Sequence, residues 1–438
     1  MKKLIALLLA TLMLLPLASC GGESLSTATE GEQTATQTTE APAATEEPAV
    51  TGEQEKVDTK VAEPLTWEKL NSIPVANENM TERELRQICL DFMELQLTFP
   101  WTPNETVHIR KKDHKYGDVY GGMPYVSSTF NNLYQLMKYY DTENGMMDIK
   151  AMGKNVETIM GNQCSANSFW GWARVSNTMT WGGTSNITES RGAIFRGNRL
   201  SSYMKANYPD LANYNDLRTA DILRAMGKDV VYEGYAQLLA ADGLVYNNKG
   251  SGHVMMVYED AVVKYNANGT IADDSYVVVQ HQTTGEWAPA QQSDGTAIEL
   301  APGWRSQYTF QHLMEGGYLP FTLAELIGTD PVEPTEMTFS ITTDKVSISK
   351  LILATVTANY ALSDVTVVIT DAEGKELSRQ IHCSYSGDHF RDREMTLSAM
   401  GFRRDLYSAY EGKGYTITIL GRTGKGDQIQ IYSGELVK

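Results

Sequence analysis

Residues 161–175 read GNQCSANSFWGWARV. The stretch sets Cys164 at the start of an apolar helical segment, where a cysteine ordinarily serves as a small buried hydrophobe. A second role is open to it, because the positive end of a helix dipole favours a thiolate. Which role applies depends on what the flanking sequence brings alongside.

Downstream, GHVMMVY at residues 252–258 begins a strand at His253. SYVVVQHQ at residues 275–282 is an apolar strand ending at His281, flanked by Gln280 and Gln282. The order is a cysteine at a helix start, a histidine on a strand and a polar side chain on the next strand. Nucleophilic catalysis uses each part. A free thiol is only partly ionised near neutrality. An adjacent imidazole takes its proton, and a third polar group fixes the imidazole's tautomer through its other nitrogen. Backbone N–H groups at the helix start, or the amides of Asn162 and Gln163, are candidates for the developing oxyanion. Strand alternation sends Gln280 and Gln282 to one face and His281 to the other. His281 is therefore the expected orienter and Gln280 its competitor.

Around this core the pattern is helical before Val230 and strand-like after it. TERELRQICLDFMELQLTF, residues 81–99, is a helix: Thr81 and Glu84 form a capping box. Leu85, Ile88, Cys89, Phe92 and Leu95 follow a helical stripe, which assigns Cys89 to packing. A second helix is expected from near Ser128, and DLRTADILRAMGKD (216–229) is another helical piece. DVVYEG (229–234), GHVMMVYED, AVVKYNANGTI (261–271) and the His281 run read as short strands, with NANGT a hairpin signal. Helices followed by a meandering antiparallel sheet indicate an α+β fold. Trp170, Trp172 and Trp181 suit either a cleft or the core; Trp172 is expected in the core and the other two partly buried.

GTDPVEPTE, residues 328–336, is a Pro- and acid-rich linker. Beyond it, alternating runs across residues 337–438 predict a β-sandwich of immunoglobulin-like type. Cys383 there is expected to pack, and His382 and His389 to be solvated. His108, His114 and His312 receive no role.

The chain begins MKKLIALLLATLMLLPLASC: a charged start, an apolar run and small residues before a cut site, the pattern of a secretory signal. Leu17-Ala18-Ser19-Cys20 resembles a bacterial lipobox, which implies acylation of Cys20 and a lipid-anchored protein on the extracytoplasmic face of the cell membrane. Residues 21–63, rich in Thr, Glu and Ala, bury too little surface to order themselves and read as a tether. The net charge of −17 argues against nucleic acid or anionic polymers as partners. With Cys20 assigned to lipid, three of the 4 cysteines remain, scattered and without a zinc motif or a disulfide framework. No phosphate loop appears, so no metal or cofactor is expected.

The Cys-then-His order resembles the papain-like fold, and most closely its bacterial cell-wall branch. NlpC-type peptidases carry Asp-Cys-Ser-Gly at the nucleophile where this chain has Gln163-Cys164-Ser165-Ala166. Their His-Val-Gly-Ile-like strand matches His253-Val254-Met255-Met256, and their third residue falls at His281 in VQHQTTG. YGGMPY (120–125) is similar to the Tyr/Gly-rich segment before the nucleophile. The related CHAP amidases place Glu or Asn on the third strand, which favours Gln280 or Gln282. The Asp and Gly of the nucleophile motif are absent here, and residues 177–230 resemble an insertion.

The resemblance spans residues 116–290. It implies a papain-like domain (64–327) with helices packed on an antiparallel sheet. It also implies a cysteine hydrolase cutting amide bonds in peptidoglycan stem peptides or other cell-envelope peptides. Cys164 is then the nucleophile, His253 the base and His281 the orienter. Two other readings share the pattern: a non-catalytic scaffold or binding lipoprotein, and a transglutaminase-like enzyme, which wants an Asp after the His strand.

Overall fold

The computed structural model describes residues 63–110, 112–126, 129–177, 218–248, 251–282, 305–385 and 392–438, with the backbone of two short strands, Ile194–Phe195 and Asn198–Arg199. The chain is mixed α+β with several sheets. The signal, the tether, Trp181 and His389 lie outside the described residues.

Helix α1 (Trp67–Asn71) is capped by Thr66, and α2 (Glu82–Thr98) starts with the capping box read from Thr81 and Glu84, both of its hydrogen bonds being formed. The α2 stripe buries Leu85, Ile88, Cys89 and Phe92 as the spacing requires. Helix α3 (Cys164–Trp172) lies against α2, where Gln96 Nε2 donates to the Asn167 carbonyl at 3.0 Å. Gly171 allows this approach. A Cβ there would sit 2.8 Å from Met256 Cε and 3.2 Å from the Cys89 carbonyl oxygen, so α3 is wedged between α2 and the sheet. Trp170 and Trp172 are both fully buried, and their indole N–H groups donate to the Phe130 and Ala241 carbonyls. Trp170 is thus a core residue rather than a partly buried one, because it has a buried carbonyl to satisfy its single polar atom.

The main sheet contains β1 (Gly243–Asn248), β2 (Ser251–Val262), β3 (Tyr276–Gln280), β4 (Arg305–Thr309) and β5 (Leu319–Phe321). Its order is β4-β3-β2-β1-β5, antiparallel throughout. Helices α4 (Thr219–Met226), α5 (Lys228–Ala236) and α6 (Phe310–Gly316) pack together beside it. The DVVYEG run falls in α5, not in a strand. Val231, Tyr232 and Tyr235 are spaced for one helical face and pack Tyr232 and Tyr235 onto Phe310, so tertiary contact overrides β propensity. The helix expected from Ser128 is shorter and later, a single turn at Leu133–Leu136 with an Asn132 capping box.

After residue 336 the chain forms β6 (Met337–Phe339), β7 (Lys345–Val346), β8 (Thr355–Ala358), β9 (Leu362–Thr370), β10 (Glu376–His382), β11 (Glu394–Thr396), β12 (Thr416–Thr423) and β13 (Gln428–Leu436). They make a three-stranded sheet, β6-β8-β11, and a five-stranded one, β7-β13-β12-β9-β10. Both sheets contribute to one apolar cluster, through Val356 and Met395 on one side and Val365, Val367, Ile417 and Ile419 on the other.

This unit packs closely on the helical part. Gly424 meets Trp170 and Ala173 of the Cys164 region, Gly426 (φ +99°) meets Arg174, and Asn132 and Gln135 bond to Ser363. His382 is buried, not solvated: its Nε2 meets the Tyr407 hydroxyl at 2.5 Å, and burial pushes the imidazole down to about 4.

Candidate active site

Cys164 occupies the first turn of α3, as expected, with Gln163 as the N-cap in extended conformation and no side-chain capping bond. The thiol is fully buried. Among the described residues the main apolar cluster takes in Ala166, Phe169, Trp170 and Trp172 of this helix but not Cys164, whereas it does include Cys89. Burial pushes the Cys89 and Cys383 thiols up to about 12.

His253 is the third residue of β2 and pairs directly with Tyr246 across the β1–β2 hairpin. Its Nε2 lies 2.7 Å from His281 Nδ1, with the rings edge to face at 5.0 Å. His281 Nε2 in turn lies 3.3 Å from Ser306 Oγ on β4. Sheet register explains the meeting. His281 follows Gln280, which pairs with Met256, and Val279 pairs with Ser306. One sheet face therefore carries His253, His281 and Ser306 in a row. The His253 ring keeps some exposure, yet its surroundings are dense enough that desolvation pushes the imidazole down to about 4.

Gln280, the competing orienter, is not part of this row. Its Nε2 points to Met256 Sδ at 3.8 Å, and Gln282 Nε2 donates to the Met123 carbonyl at 2.7 Å. Alternation sends both amides to the opposite face, so of the two candidates only His281 reaches His253. Asn162 and Gln282 are buried against Met123, where Asn162 Nδ2 meets Met123 Sδ, and the buried Gln163 donates its backbone N–H to Asn162 Oδ1 at 2.8 Å.

Tyr318 lies just before β5. Its hydroxyl is held above the usual tyrosine range, first by burial and then by the neighbouring Tyr308, Cys164 and Tyr246. Tyr318 and Tyr246 have ring centroids 5.7 Å apart, and Tyr246 is the cross-strand partner of His253. Tyr308 closes the other side, 6.2 Å from His281 and stacked at 4.9 Å on His312. Tyr246, Tyr308 and Tyr318 thus form an aromatic surround for the two histidines.

Sequence reasoning passed over Tyr246, Ser306, Tyr308 and Tyr318. The hairpin register contained a signal for Tyr246, since pairing Asn248 with Ser251 sets it opposite His253. Ser306 had none, because its place depends on how β4 pairs with β3.

The row is a chain of two hydrogen-bond contacts whose donors follow from the choice of tautomer. With His253 Nε2–H donating to His281 Nδ1, His281 carries its proton on Nε2 and donates to Ser306 Oγ. That assignment leaves His253 Nδ1 as the free basic lone pair. Among the described residues no three His, Cys, Asp or Glu side chains converge in a way that would hold a metal ion, and no helix is long and apolar enough to cross a membrane. Comparison with protein-family models and with curated proteins finds no match for this chain.

Proposed function

We propose that the protein is a cysteine hydrolase of papain-like fold, related to the NlpC-type and CHAP cell-wall enzymes. It is lipid-anchored at Cys20 on the extracytoplasmic face of the membrane and cuts amide bonds in peptidoglycan peptides. The C-terminal pair of sheets is read as an immunoglobulin-like sandwich. The observation that carries the reading is the His253–His281–Ser306 row, in the same domain as a cysteine at a helix start.

In this mechanism His253 Nδ1 takes the Cys164 proton as sulfur attacks the scissile carbonyl carbon. The oxyanion is held by N–H groups at the start of α3 and by the Gln163 amide. His253 then protonates the leaving amine, and the C–N bond breaks to give a thioester. Water, deprotonated by the same imidazole, attacks the thioester and releases the acid and the thiol. Desolvation alone disfavours the charged His253 ring; in this mechanism the neighbouring thiolate offsets that cost, so proton transfer from Cys164 yields a thiolate–imidazolium pair and lowers the thiol below its ordinary range. His281 is a positioning residue: it holds the tautomer with Nδ1 toward the thiol, and Ser306 holds His281.

Incubating the protein with purified peptidoglycan and mapping the fragments by mass tests the reading. Peptide-bond cleavage that vanishes in Cys164→Ser supports it. Intact wall with wild-type protein supports the scaffold reading instead, which the full burial of Cys164 favours.

A further inference from the structure

Between α1, the Met137–Tyr139 turn and the strands β9, β10, β12 and β13 lies a cleft of about 500 Å³, a size suited to a small polar ligand. Trp67, Asn71, Lys138, Arg379, Gln380 and Arg422 line it. No carboxylate is among its lining residues, in a chain whose net charge is −17.

The hydrogen-bonding capacity of this cleft is lopsided. Arg379 gives Nε and Nη2 to Glu376 and occupies both of that carboxylate's oxygens. Arg422 sets Nε 3.3 Å from buried Asp364 and donates Nη1 to the Gly426 carbonyl at 2.9 Å and to Asn71 Oδ1 at 3.4 Å. Among the described residues Nη1 of Arg379 and Nη2 of Arg422 have no hydrogen-bond partner, and the Lys138 ammonium meets only the Tyr139 ring at 5.3 Å. Arg422 is 4% exposed and held between the Trp67 and Tyr134 rings, at 5.6 and 4.3 Å. Its guanidinium is therefore pre-organised rather than waving in solvent. Two paired guanidinium groups with spare N–H donors and one uncompensated ammonium make a surface that is short of an anion. The half-buried Trp67 indole adds an apolar wall, and Asn71 Nδ2 and the Gln380 amide suit hydroxyl groups.

We propose that this cleft binds an acidic saccharide, its carboxylate on Lys138, Arg379 and Arg422 and its sugar ring against Trp67. The cleft shares no residue with the Cys164 row, so the proposal stands apart from the hydrolase reading. Calorimetric titration of the full chain with a hyaluronan tetrasaccharide, which alternates glucuronate with N-acetylglucosamine, tests it.

Saturable binding is expected. Lys138→Ala should weaken it about tenfold and Lys138→Arg by no more than about twofold, since arginine keeps the charge. Trp67→Ala should weaken it comparably. Lys138 is exposed, so its variants keep the fold. Neutral chitotetraose should bind at least about tenfold more weakly than the acidic probe. Equal binding of chitotetraose overturns the role of charge. Equal binding of acetate or inorganic phosphate overturns the role of the sugar. Absence of saturable heat with the acidic tetrasaccharide overturns the site.

Discussion

His114 is the side chain whose replacement most cleanly separates acid sensitivity from packing. It ends a short hairpin, Val107–Ile109 with Lys112–His114, and is 1% exposed. Its ring stacks on Trp101 at 5.5 Å and tilts against Tyr120 at 4.7 Å, and neither ring nitrogen meets a hydrogen-bond partner of normal geometry. Burial pushes the imidazole from 6.5 down to about 4. The unfolded chain therefore binds this proton first as the pH falls. The stability tied to neutral His114 is complete above pH 6.5 and is lost progressively down to about 4. At a pH of about 4.5 the loss is roughly 2.5 kcal/mol.

His114→Phe keeps an aromatic ring between Trp101 and Tyr120 and removes the titrating atoms. At neutral pH it should leave stability unchanged or raise it by about 1 kcal/mol, because two unbonded nitrogens disappear. Urea unfolding of the wild type and the variant, each at a pH of about 7.5 and about 4.5, measures the difference. The variant should retain roughly 2.5 kcal/mol that the wild type loses. Parallel losses in the two proteins would show that His114 titrates normally and would refute the reasoning.

Three further outcomes follow from other sites. Asp242→Asn leaves Arg86 without the buried carboxylate it meets at 2.7 Å, and should cost about 3–5 kcal/mol in the same unfolding assay; a loss under about 1 kcal/mol would mean that Glu82 and the Ala240 carbonyl suffice to satisfy Arg86. His281→Ala should lower turnover of peptidoglycan peptides by about a hundredfold, while Gln280→Ala, on the other sheet face, should change it less than about threefold; equal effects would contradict the assigned row. Cys20→Ser should release the protein from membranes into a salt wash, and continued partition with the membrane fraction would rule out the lipid anchor.

Much of the arrangement was legible because it rests on local rules. The capping box fixed where α2 begins, and strand alternation separated His281 from Gln280 before any contact was known. What stayed hidden depends on distant segments. DVVYEG carries β-branched residues, yet Phe310 from α6 supplies the surface that makes a helix there the better packing. His382 reads as a polar strand end, and only Tyr407, brought across by the fold, turns it into a buried hydrogen-bonded group. Trp170 and Ser306 were opaque for the same reason: the Phe130 carbonyl and His281 that they meet lie far away in the chain.

The central claim is that Cys164 is an activated nucleophile, and its alkylation rate against pH tests that most directly. All three remaining cysteines are buried, so exposure does not distinguish them. Cys89 and Cys383 are also pushed up to about 12 and should stay inert. Iodoacetamide treatment of the full chain, with each site quantified by mass, should label Cys164 selectively, with a midpoint below the ordinary thiol value of about 8.5. His253→Ala should move that midpoint up to about 8.5 or beyond. Equal labelling of Cys89, Cys164 and Cys383, or a Cys164 profile indifferent to His253→Ala, would contradict the account.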